Sequence, residues 1–259
     1  MSSSPRTADL SDSTAQADTA EPVLRVVQYL PRIRQAGSAE SAVAVFRHLL
    51  GMLGADGGIF LSVITDDAMR TSVRSLLACD PRWVIEYSRD GWHDRDPWLR
   101  YAMDCQTPVR SAELFVHPWE EEFAMKASTL GFASAVVVPA PTSFGAARVG
   151  VLVLGSNNAG HYDGEDYQLV QIVARALAME LHEWLLRTIR DDLLARSRIT
   201  PDQIELLRYE AAGRSSKSIA AELGINPKAV DRRFQRVCEK LDAPDRRIAV
   251  RIARLYDLI

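Results

Sequence analysis

Two sets of residues in this 259-residue chain have types and spacings that could do chemistry. One lies in residues 219–241, IAAELGINPKAVDRRFQRVCEKL. At about 100° per residue, Val230, Phe234, Val237 and Leu241 share one side of a helix. Lys228, Asp231, Arg232, Gln235 and Arg236 fall on the other. Arginine and glutamine side chains in such a row can pair with guanine and adenine edges in a major groove. The second set is Trp83, Tyr87 and Asp96. Trp83 and Tyr87 stand four apart and share a helix face. Pro97 suits a first helical position, with Asp96 as its N-cap. Taken singly, the aromatic pair reads as core and the Asp-Pro as a cap. A carboxylate buried there would need donors to satisfy it.

Other chemistries lack their residues. The five histidines, His48, His93, His117, His161 and His182, form no HExxH and no Cys/His pair at metal-ligand spacing. No GxSxG elbow or phosphate-cradling glycine loop occurs. His93-Asp94-Arg95-Asp96 resembles an acid/base cluster only on paper, because neighbours on a helix or turn point apart. Cys79, Cys105 and Cys238 are odd in number and lack CxxC spacing, so neither a disulfide frame nor a zinc site is expected. No enzyme activity, catalytic residue, metal or cofactor is expected. No apolar run approaches the roughly 20 residues needed to span a bilayer, so no membrane partner is expected either. Residues 1–21, rich in Ser, Ala, Asp and Thr, read as a disordered tail rather than a signal peptide. A cytoplasmic protein is the expectation.

Residues 22–30 carry apolar positions at helical spacing until Pro31 ends or kinks them. Ser38 caps a helix. Residues 58–64 and 72–78 read as partner strands. Helical segments then follow at Trp83–Tyr87, from Pro97 through Met103, and from Pro118 to Leu130. The β-rich runs 133–139 and 148–155, joined by the Pro/Gly/Ser loop 140–147, suggest a hairpin. Asp163 is the expected cap of a long helix over 164–190, and 191–198 is the expected linker. The class is α/β: an N-terminal α/β/α sandwich over 22–190 and an all-α helix–turn–helix domain over 199–259. In that second domain Gly224 ends one helix, Asn226 caps the next, and Pro227 opens it. The order strand–strand–helices–strand–strand does not alternate as a phospho-accepting receiver domain would. The long helix is apolar on several sides (Ile172, Val173, Ala176, Leu177, Leu181, Trp184 and Leu185), so it is either deeply buried or shared with a second copy. Sharing is expected, since helix–turn–helix proteins bind operators as two-fold dimers.

Charge supports a DNA partner. Residues 196–259 carry 14 Lys/Arg against 9 Asp/Glu, while residues 1–195 carry 17 against 25. An acidic chain that gathers its positive charge into one module has the asymmetry of a nucleic-acid binder.

Ile199-Thr200-Pro201, Leu206-Leu207, Ala212-Gly213, Ile219-Ala220, Leu223-Gly224-Ile225, Val230, Lys240-Leu241, Arg246 and Ala249-Val250 resemble the C-terminal domain of LuxR-type transcription regulators. The resemblance implies DNA contacts from Lys217, Lys228, Asp231, Arg232, Arg233, Gln235 and Arg236, with Arg233 on a phosphate. Gln203, Ala229 and Arg233 depart from the family's usual Glu, Thr and His. The pattern WxxxY-x8-DP resembles the autoinducer-binding domain of the same family, and Gly131-Phe132-Ala133-Ser134 and Pro139 match its following β region. It implies that Trp83 donates to a lactone carbonyl, that Asp96 accepts the ligand amide N–H, and that Tyr87 meets the acyl carbonyl. Departures sit in the walls: Ser111 near the place of a second family Trp, Ala135 in place of Gly, and Val153 where some members carry Thr. The resemblance thus implies a quorum-sensing regulator with an N-acyl homoserine lactone or related autoinducer. Its alternative is a regulator answering a non-lactone signal, or one acting without ligand through protein interactions. Its partners are an operator duplex, the autoinducer and a second copy, with RNA polymerase as a further contact.

Overall fold

The computed structural model describes residues 24–65, 71–140, 142 and 147–259. The expected disordered tail at 1–21 lies outside the described residues, as do most of the loop 140–147 and the first residues of the expected helix from 22.

Residues 24–29 are helical, and Pro31 kinks this helix instead of ending it. The chain resumes as α1, Pro31–Gln35, with Pro31 at the start, where it needs no N–H partner. Ser38 caps α2, Ala39–Met52, and accepts from Ser41 N at 3.2 Å. Strands β1, Gly57–Thr65, and β2, Thr71–Ala78, follow. Next come α3, Arg82–Arg89, a 3-10 turn at Trp92–Asp94, and α4, Pro97–Asp104. Strand β3, Val109–Arg110, is a two-residue element outside the expectation; it pairs antiparallel with the fourth strand, Val109 opposite Val137. Two residues are too few to show a period of two.

The expected helix 118–130 is a 3-10 turn, Pro118–Glu120, leading into α5, Glu121–Thr129. Strands β4, Ser134–Ala140, and β5, Arg148–Ser156, are buried throughout, and the five-stranded sheet has the order β2-β1-β5-β4-β3. At Gly155 an added Cβ would lie 2.2 Å from Phe132, so glycine here lets that ring close against the strand.

The long helix, α6, runs Tyr167–Ser197. Asp163 is not its cap. The Asp163 carboxylate lies 3.5 Å from Arg110, and Val170 N bonds to Asp166 O, so the helix opens one turn later. The expected linker is helical through residue 197, because Leu186, Ile189 and Leu193 keep helical spacing. Arg198, at φ 49°, then breaks the helix. Most of the apolar surface of α6 is used within the chain: Val173, Leu177, Leu181, Trp184 and Leu185 are all buried. Leu181 and Trp184 thus leave little surface for a second copy. Between residues 169 and 190, α6 leaves exposed Ile172, Arg175, Ala176, Met179 and Glu183.

The C-terminal module consists of α7, Pro201–Ala211; α8, Ser216–Leu223; α9, Pro227–Leu241; and α10, Arg246–Leu255. Leu206, Ile219, Ala220, Val230 and Phe234 form one core cluster. Leu207, Val237, Leu241, Ala249 and Ala253 belong to another.

Candidate functional site

Gly224, at φ 65°, ends α8 in the left-handed region that glycine enters at little cost. Asn226 then caps α9, its Oδ1 accepting from Ala229 N at 2.8 Å, and Pro227 takes the first position. The start of α9 is therefore capped without a hydroxyl at position 229. Gln203, where the family usually has Glu, helps cap α7: its Oε1 accepts from Thr200 N at 3.1 Å and from Lys240 Nζ at 2.8 Å. With Val230, Phe234, Val237 and Leu241 buried, Lys228, Asp231, Arg232, Gln235 and Arg236 stand exposed on the far side of α9, and Lys217 is exposed on α8. Arg233 is half-buried at the edge of that face.

Asp231 differs from its neighbours. Its Oδ1 accepts from Ser216 Oγ at 2.8 Å and from Arg246 Nη2, and Arg246 Nη1 also donates to Ser216 Oγ at 2.8 Å. The Arg246 guanidinium lies 4.2 Å above the Phe234 ring. The Arg246 and Ser216 hydrogen bonds hold the Asp231 carboxyl below its ordinary range. One arginine at the start of α10 thereby ties α8 to α9.

In the N-terminal module, α3 and α4 bring together the three residues of the WxxxY-x8-DP pattern. Trp83 is 2% exposed and Asp96 4%. Asp96 caps α4, its Oδ1 accepting from Trp98 N at 2.8 Å and Leu99 N at 3.1 Å. Its Oδ2 accepts from the Tyr87 hydroxyl at 2.9 Å. Burial pushes the Asp96 carboxyl up to about 6, against the lowering effect of these three donors, and Glu120 adds to the rise. Burial and the Asp96 charge likewise raise the Tyr87 phenol. Two ion pairs fix the frame. Arg100 of α4 donates to Glu120 Oε1 at 2.7 Å, and Lys126 of α5 lies 2.8 Å from Glu86 of α3.

What the sequence did not show around Trp83 is a cluster of aromatic rings. Around Trp83 stand Tyr87 at 6.0 Å between ring centroids, Trp92 at 6.0 Å, Trp98 at 5.7 Å, Phe123 at 5.8 Å and Phe132 at 5.0 Å. Trp98 lies nearly parallel to Trp83, with 5° between the planes. The adjacency Asp96-Pro97-Trp98 was the available signal, since the capped first turn carries Trp98 into the core. Ser111 sits apart, at the sheet edge, where its Oγ accepts from Ala135 N at 3.0 Å. Ala135 in β4 and Val153 in β5 are fully buried on adjacent strands. Among the described residues no group of His, Cys, Asp or Glu could hold a metal ion, and no helix is long and apolar enough to cross a membrane.

A buried polar grip inside an aromatic cluster and a helix–turn–helix with an exposed basic face define a ligand-responsive, DNA-binding regulator. The comparisons agree. The family model described as the autoinducer binding domain matches residues 38–185, and that of the bacterial regulatory proteins, luxR family, matches residues 197–253. The chain belongs to the LuxR-type regulators that join these two modules. Neither module is an enzyme. No curated protein sequence matches. Among solved structures, SdiA of Escherichia coli is 18% identical with a TM-score of 0.71, covering 90% of this chain and 97% of that one. SdiA in complex with octanoyl-rac-glycerol is 18% identical with a TM-score of 0.66, covering 89% and 93%. CepR2 of Burkholderia cenocepacia, an N-acylhomoserine lactone dependent LuxR family transcription factor, is 19% identical with a TM-score of 0.53, covering 64% of this chain and 95% of that one. At these identities the likeness is one of fold.

Proposed function

We propose that this regulator senses an N-acyl homoserine lactone or a closely related amide and binds a two-fold operator as a cytoplasmic homodimer. The observation that carries the reading is Asp96: a buried carboxylate beside Tyr87 and three indoles, with acceptor capacity for one amide N–H. No resident cofactor enters this reading; the signal itself is the bound small molecule. Trp83, Tyr87 and Asp96 form the polar grip, and Ser111, Ala135 and Val153 belong to the altered walls. On DNA, Arg232, Gln235 and Arg236 face the bases from α9, with Lys217, Lys228 and Arg233 serving phosphates. RNA polymerase is the further partner of the DNA-bound form.

A second copy fits the exposed stripe of α6. Antiparallel pairing about a two-fold axis at Met179 sets Arg175 of one copy opposite Glu183 of the other, and buries Ile172 and Ala176. Met179→Glu should then give a folded monomer that loses tight operator binding, read by light scattering. An unchanged dimer would remove this face from the proposal.

The alternative, a non-lactone signal, is favoured by one observation: Ser111, where the family's second indole would stand, is tied to Ala135 N at the sheet edge. The octanoyl glycerol bound by SdiA is one such amphiphile without an amide. Calorimetry with N-octanoyl homoserine lactone and with octanoyl glycerol tests both. Binding of the lactone alone supports the amide reading, and binding of the glycerol ester alone supports the alternative.

A further inference from the structure

Counting hydrogen bonds in the aromatic site leaves one buried donor over. A tyrosine hydroxyl has a single proton, and Tyr87 gives its proton to Asp96 Oδ2 at 2.9 Å. Asp96 Oδ1 is occupied by the N–H groups of Trp98 and Leu99. Of roughly four lone-pair positions on a carboxylate, one therefore remains, on Oδ2. It suits an incoming amide N–H. The same count means that Tyr87 has no proton left for the carbonyl of that amide.

Trp92 has the missing donor. It is 2% exposed, and its indole Nε1–H finds no acceptor among the described residues. Buried donors in native structures are nearly always paired. The left-handed Gly91, at φ 61°, turns the chain out of α3 and returns Trp92 onto it. The Trp92 ring stands edge-on to Trp83 at 6.0 Å, to Tyr87 at 6.2 Å and to Phe123 at 5.4 Å. The orphan donor is thus in the same cluster as the polar grip.

We infer that Trp92 is a ligand-binding residue whose indole N–H donates to the acyl carbonyl oxygen of an amide signal, the role that Tyr87 cannot fill while it serves Asp96. Asp96 Oδ2 accepts the amide N–H. Trp83 is left for the head group. This rests on the amide reading above, and it makes position 92 a determinant of which signals are admitted.

The test is a cycle between protein and ligand, using N-octanoyl homoserine lactone and its thioamide analogue. Sulfur in place of the acyl oxygen keeps the shape and the N–H but is a much poorer acceptor. In the unmodified protein the thioamide should bind about five- to tenfold more weakly, the worth of one neutral hydrogen bond. Trp92→Phe keeps a ring in the cluster and removes the donor; it should lose about the same factor for the lactone and no longer distinguish the two probes. Tyr87→Phe should still distinguish them. If the discrimination instead survives in Trp92→Phe and vanishes in Tyr87→Phe, Trp92 is not the donor and its N–H points at a neighbouring ring. As a check on the unmodified protein, the assigned Trp92 indole N–H resonance should shift when the lactone is added; an unmoved resonance overturns the assignment. If neither probe binds the unmodified protein, the amide reading itself falls, and Trp92 with it. Binding by the unmodified protein with a discrimination that survives in Trp92→Phe overturns the present inference alone.

Discussion

Asp96 offers the most exacting test of the site, because stability and binding should respond in opposite directions. Its carboxyl is raised from an ordinary 3.8 to about 6 by burial. Between those values the folded protein holds a proton that the unfolded chain has released. Stability from this group is therefore fully present below about pH 4 and is lost as pH rises towards 6. About two units at roughly 1.4 kcal/mol each makes the loss about 3 kcal/mol. Asp96→Asn removes the titration. Its side-chain oxygen can still cap α4 through Trp98 N and Leu99 N, and the Tyr87 hydroxyl can turn to accept from the new amide.

The measured quantity is the unfolding free energy of the variant minus that of the parent. It should rise by about 2–3 kcal/mol from pH 4 to pH 7. Subtraction removes the titration of every other carboxylate, except for any coupling to Glu120. Denaturant titrations followed by tryptophan fluorescence suit the purpose: Trp83, Trp92, Trp98, Trp119 and Trp184 all precede the helix–turn–helix, so the signal reports the sensor module. Binding should move the other way. Exchanging an ionised acceptor for a neutral amide removes about 1.5–3 kcal/mol, so affinity for N-octanoyl homoserine lactone should fall by one to two decades. A difference that stays flat from pH 4 to 7 would refute the burial argument. Unchanged lactone affinity would refute the acceptor role.

On DNA, Arg233→Ala should weaken every duplex and lower the salt slope by about one unit, whereas Arg232→Ala or Gln235→Ala should relax sequence preference by roughly 1–3 kcal/mol. Titration of operator and random duplexes at several salt concentrations separates the two outcomes, and equal losses on both duplexes would defeat the assignment. Asp231→Asn should act through Arg246 and Ser216, so Asp231→Asn and Arg246→Gln together should lower the melting temperature of the helical module no further than the worse single variant. Additive losses would dissolve that network. Ser111→Ala leaves the buried Ala135 N–H without its acceptor and should lower sensor stability by about 1–2 kcal/mol in thermal unfolding.

The sequence exposed those parts of the molecule whose residues act through local backbone rules. Gly224, Asn226 and Pro227 each have a conformational reason to stand where they do, and the turn between α8 and α9 forms as those reasons require. Ser38 and Asp96 are legible for the same reason: a cap is a contact between residues two or three apart. The start of α6 shows the limit of the rule. Asp163 qualifies as a cap on composition, yet the helix opens at Tyr167, and the Asp163 carboxylate stands 3.5 Å from Arg110, fifty-three positions away in the chain.

Contacts set by tertiary packing had no such trace. Trp92 follows a glycine in a stretch without period, and only the left-handed turn at Gly91 reveals that its ring returns to Trp83. The apolar positions of α6 could not be sorted into buried and exposed ones, because their periodicity counts them without saying which will be covered. Asp231 is the sharpest case. Helical geometry puts it among the DNA-facing residues, and it is indeed exposed there. The Arg246 side chain reaches it from α10, fifteen residues on, and turns a carboxylate that would repel phosphate into the acceptor that fixes α9 against α8. An acidic residue on a basic reading face is tolerable on electrostatic grounds only if its charge is already spent, and this network spends it.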